Sequence, residues 1–83
     1  MIDYYYVHIK GTPVGKIDIT LDHESLLLCL KNEGYMRTRS SSSVIELTHP
    51  ETIDFNADTL VIFNHAKTFC QIFTLPDVVV PVD

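Results

Sequence analysis

Alternation is clearest at residues 15–21, GKIDITL, where Ile17, Ile19 and Leu21 are separated by Asp18 and Thr20. A period of two sends successive side chains to opposite faces, so this stretch predicts a half-buried β-strand. IDYYYVHI (2–9) predicts a strand before it, joined through the turn GTPVG. VIELT (44–48), TLVIF (59–63) and TFCQIFTL (68–75) predict three more. FNAD reads as a turn ahead of TLVIF. NHAK, between Phe63 and Thr68, predicts a hairpin loop that the Asn64 side chain can close.

The segment DHESLLLCLKNEG (22–34) breaks this rhythm. Its apolar residues are contiguous, so periodicity supports a buried strand as readily as a helix. The boundaries speak for a helix: Asp22 can serve as N-cap, Glu24 lies in the first turn, and Gly34 can stop it. As a strand it would be the second arm of a hairpin turning at DHES.

Composition bears on that choice. Val, Ile and Thr supply 24 of 83 residues, while Ala occurs twice and Gln once. β-Branched side chains lose rotamer freedom in a helix and pack well on a sheet. The expected fold is therefore a small β-dominated α+β domain, an antiparallel sheet with one helix at about 22–33. An all-β small barrel or sandwich is the alternative if that segment is extended. One domain, 1–83, accounts for the whole chain.

The last residues, LPDVVVPVD (75–83), are expected to form an extended strap. Proline at each end of the valine run removes a donor and fixes φ, which suits a sheet edge and excludes a helix interior. At 46% hydrophobic residues and a mean hydropathy of +0.14, the chain has more apolar surface than so small a body readily hides. Val78, Val79 and Val80 are thus candidates for an oligomer interface that hides the excess in a second copy.

Charge divides the chain. The net charge is −5. Residues 1–39 are balanced, whereas residues 40–83 hold Lys67 against Glu46, Glu51, Asp54, Asp58, Asp77 and Asp83. Acidity of this kind disfavours nucleic acid and suits a basic protein surface. In ELTHPETIDFNAD, Glu51, Asp54 and Asp58 surround Ile53 and Phe55, an acidic rim around apolar anchors. These five are the candidate partner-binding residues.

Catalytic and metal signatures are weak. Cys29 and Cys70 sit in apolar runs, LLLCL and FCQIF, where buried, reduced thiols are expected. His8 falls in a strand, while His23, His49 and His65 fall in turns and are expected to be solvated. No close Cys/His pair at zinc-ligand spacing and no phosphate-cradling glycine loop occurs, so no metal or cofactor is expected. MIDYYYVHIK lacks a basic segment leading into an apolar one, and the longest apolar run is five residues, so a cytoplasmic protein without a membrane span is expected.

Tyr5, Tyr35, Arg37 and Arg39 offer stacking rings beside cations, the alternative site for single-stranded nucleic acid. GYMRTRSSSS resembles the aromatic-basic strand of RNA-recognition sheets, without a second matching motif. TPVGKIDITLDHESLLLCL (12–30) resembles the leading hairpin of O6-alkylguanine alkyltransferases. That family's reactive Pro-Cys-His-Arg motif is absent, so the resemblance implies no activity. The sequence therefore favours a non-catalytic protein-binding module docking on a basic protein. Small inhibitors and accessory proteins of the immunity, antitoxin and phage counter-defence kinds have this character. A nucleic-acid-binding module and a structural subunit of an assembly are the alternatives, and an enzyme ranks last.

Overall fold

The first strand is the middle of the sheet. In the computed structural model, which describes residues 4–18, 20–51 and 57–75, β1 is Tyr4–Lys10. A 3-10 turn (Val14–Lys16), α1 (His23–Asn32), β2 (Met36–Ser40), β3 (Val44–Thr48), β4 (Asp58–Asn64) and β5 (Phe69–Leu75) follow. The sheet order is β2-β3-β1-β4-β5. It is open, with β2 and β5 at its edges, so the fold is α+β and not a closed barrel. The sheet is mixed where a purely antiparallel one was expected: β1 pairs β3 in parallel, and the other three pairings are antiparallel.

Alternation along β1 explains its position. Val7 and Ile9 are fully buried, and with Val61, Phe63 and Leu47 they meet Leu26 and Leu30 of α1. Tyr6 and His8 point to the opposite face. A strand with apolar side chains on one face and bulky or bonded ones on the other gains most from neighbours on both sides.

The capping signals at 22–34 produce a helix. Asp22 Oδ1 accepts from the Ser25 amide at 2.8 Å, relieving one unpaired donor of the first turn. At the other end, Tyr35 N donates to Leu30 O and Gly34 N to Lys31 O, with Gly34 at φ +104°. This is the Schellman arrangement, which needs a left-handed residue after the last helical turn. The contiguous leucines are distributed by the helical repeat: Leu26 and Leu30 face the sheet, and Leu28 faces out.

GKIDITL does not form the strand its alternation predicts. Pro13 leads into the 3-10 turn, and Asp18 Oδ1 then accepts from both the amide and the hydroxyl of Thr20. That local closure takes the bonds a ladder would need. Ile17 still reaches the core. The resemblance of residues 12–30 to a hairpin fails for the same reason: the segment is a turn and a helix.

β2, MRTRS, has no apolar alternation and was not foreseen; all five of its residues are exposed. The serine run closes the β2–β3 hairpin, with Ser41 N donating to Val44 O at 2.8 Å. The NHAK loop closes as expected, with Asn64 Oδ1 accepting from the amide and hydroxyl of Thr68. The residues of FNAD that would define its turn lie outside those described. No described helix is long and apolar enough to cross a membrane.

Candidate functional site

The C-terminal end of α1 overhangs β2, and between them runs a groove of about 680 Å³. Leu27, Leu28, Tyr35, Met36 and Leu47 give it apolar walls, and Lys31 and Arg37 supply its charge. Leu28 and Met36 are 59% and 56% exposed, the two most exposed large apolar side chains among the described residues. Beside them lies the outer edge of β2, which no described strand covers. An open edge presents unpaired amides and carbonyls that an added strand can use.

Local bonding holds this corner in shape. Tyr35 shares a hydrogen bond with the Thr12 hydroxyl at 2.6 Å and packs edge-to-face on His49, ring centroids 4.9 Å apart. His49 Nε2 donates to Glu33 O at 3.1 Å, and Nδ1 accepts from the Glu51 amide at 2.9 Å. That histidine is therefore bonded through both ring nitrogens and caps α1, not the freely solvated ring expected. A β-bulge between Arg37 and Arg39 decides which arginine faces the groove. Arg37 pairs with Leu47 on the helix side, and Arg39 pairs with Glu46 on the other.

The opposite face carries a polar chain across four strands. His8 Nε2 donates to Asp58 Oδ2 at 2.9 Å, and Glu46 Oε2 lies 3.6 Å from Nδ1. Thr38 Oγ1 donates to Glu46 Oε1 at 3.0 Å. Asp58 Oδ1 also accepts from the Gly11 amide at 2.6 Å. His8 thus lies between two carboxylates, bonded to Asp58 and close to Glu46. Among the described residues no group of His, Cys, Asp and Glu is arranged to hold a metal.

The cysteines and His23 depart from the positions the sequence predicts. Burial, then the neighbouring Glu33 carboxylate, pushes the Cys29 thiol up, away from the reactive thiolate. Both cysteines are free, but Cys29 is only half-buried and Cys70 is exposed, so the expected core positions are corrected. The helical repeat turns Cys29 partly outward, and Cys70 sits on the edge strand β5. His23, expected in solvent, is 7% exposed between the rings of Tyr5 and Phe63. Its two ring nitrogens have no hydrogen-bond partner among the described residues. Burial, then the Lys67 charge, lowers its pKa.

The proposed acidic rim divides. Glu51 is exposed, Asp58 is turned inward onto His8 and Gly11, and Ile53, Asp54 and Phe55 lie outside the described residues. Val78, Val79 and Val80 lie outside them as well. The nucleic-acid set is not brought together. Tyr35 and Arg37 line the groove, Arg39 is on the other face, and Tyr5 packs on His23 with Lys67 Nζ 5.4 Å from its ring. Sequence reading missed Leu27, Leu28, Lys31 and Met36. The available signal was LLLCL itself, because five contiguous apolar residues on a helix must leave one pointing outward.

The described residues define a small open mixed sheet, covered on one face by α1, with an apolar groove at one edge. No family model, curated protein or solved structure matches the chain.

Proposed function

We propose that this chain is a non-catalytic protein-binding module that receives an extended segment of its partner at the α1–β2 groove. The observation that carries the reading is the convergence of Leu28 and Met36 on one groove beside the open edge of β2. Apolar side chains at that exposure, rimmed by charge, are what a docking surface needs. The free edge supplies main-chain bonds, the groove takes alternate apolar side chains, and Lys31 and Arg37 select a segment that carries acid groups.

The partner as a whole is a basic protein, drawn by the net charge of −5. Such a partner fits the role of a small inhibitor or accessory protein in the cytoplasm. The test is recovery of bound proteins from the native host with the wild-type chain and with Leu28→Glu/Met36→Glu. Both positions are exposed, so the double variant should keep its fold and lose the partner. Equal recovery by both proteins sinks the reading.

A further inference from the structure

The groove has a complementary segment within this sequence. Residues 76–83, PDVVVPVD, place Val78, Val79, Val80 and Val82 between Asp77 and Asp83. The groove offers the inverse, apolar walls with Lys31 and Arg37 at its margin. Between Pro76 and Pro81, residues 77–80 retain their amides, and in an extended strand two of these can face the free edge of β2.

We infer that the groove of each chain receives the valine segment, residues 77–80, of a second copy, and that two copies exchange these segments reciprocally. This rests on the protein-binding reading and names a first occupant of that site.

Reach decides between the same chain and another. β5 ends at Leu75 on one edge of the sheet, and β2 lies at the other. A strand added outside β2 stands five spacings from β5, about 24 Å at the usual strand separation. Val80 is five residues beyond Leu75 and extends at most about 18 Å from it. The valines of one chain therefore fall short of its own free edge. A second chain has no such limit, and a two-fold arrangement uses the same groove and segment twice.

Local charge matches this segment to the groove, although both copies carry the same net charge of −5. Asp77 and Asp83 flank the valines as Lys31 and Arg37 flank the apolar walls. Self-exchange would also keep the exposed edge of β2 from pairing indiscriminately, since a bound strand occupies its amides.

The test is complementation in the full chain, read by sedimentation. The groove variant is Leu28→Glu/Met36→Glu, and the segment variant is Val78→Glu/Val80→Glu. Wild type should dimerise with rising concentration, and each variant alone should remain monomeric. An equimolar mixture should form a heterodimer, because the groove variant supplies an intact segment and the segment variant an intact groove. A monomeric wild type, a dimeric single variant or a mixture that stays monomeric overturns the inference.

Should the segment variant fail to fold, a labelled peptide of residues 75–83 replaces it. That peptide should bind wild type, split its dimer and leave the groove variant unbound; binding to both proteins alike, or to neither, overturns the proposal. A monomeric wild type that still captures a host protein through Leu28 and Met36 removes the exchange alone. Loss of both behaviours removes the protein-binding reading too.

Discussion

Individual side chains set the sensitivity of this fold to pH. His23 is buried between Tyr5 and Phe63, with Lys67, Arg37, Asp22 and Glu24 as the charges that act on it, and its folded pKa is depressed. Below the unfolded value of about 6.5, the unfolded chain binds more protons at this site than the folded one. Stability contributed here is therefore complete above that pH and falls as the solution is acidified. Thermal melts between pH 8 and pH 5 should show a decline that His23→Phe reduces; an unchanged slope would exclude His23 as its source. Asp58 serves differently, joining His8 and the Gly11 amide to the start of β4. Asp58→Ala should cost about 1–3 kcal/mol by leaving those donors unmatched, measured by denaturant unfolding. Cys70→Ala, at an exposed position, should stay within about 0.5 kcal/mol of wild type.

Elements show which signals in the sequence were strong enough to read. The helix was legible in its ends, because Asp22 and Gly34 carry chemistry that only a helix terminus uses. β3, β4 and β5 were legible as apolar runs of strand length. Residues 16–21 were misread because alternation is blind to Asp18, whose side chain bonds the backbone two residues on. β2 was illegible because an exposed edge strand carries no apolar pattern; its pairing with β3 defines it. Parallel pairing of β1 with β3 rests on contacts between distant residues that no local pattern encodes. The groove was half visible, in LLLCL, but its other wall required β2. The helix stop gives a sharp test. Gly34→Ala combines a left-handed φ with a Cβ 3.0 Å from His49 Nε2. It should destabilise by about 1 kcal/mol or more, and the melting temperature should fall accordingly.

For the whole molecule, the uneven charge is the property with a measurable consequence. Residues 40–83 carry the entire net charge of −5, and Glu51 is exposed within them. With the partner in hand, Glu51→Lys/Asp54→Lys should slow association and flatten its dependence on salt, with little change in the melting temperature. Stopped-flow rates that do not change would place the docking charge elsewhere. Asp58 is excluded from this pair because its carboxylate is committed to β1.

The central position of β1 also governs the order in which the protein can come together. Tyr6 pairs with Val44 and Val7 with Val61, so β1 finds both of its neighbours only after α1 and β2 have been synthesised. Until β4 has left the ribosome, β1 has an unoccupied side along its full length. At synthesis rates of about 5–20 residues per second, that interval lasts seconds. A nascent chain halted before residue 58 should therefore recruit holding chaperones, and one released after residue 75 should not.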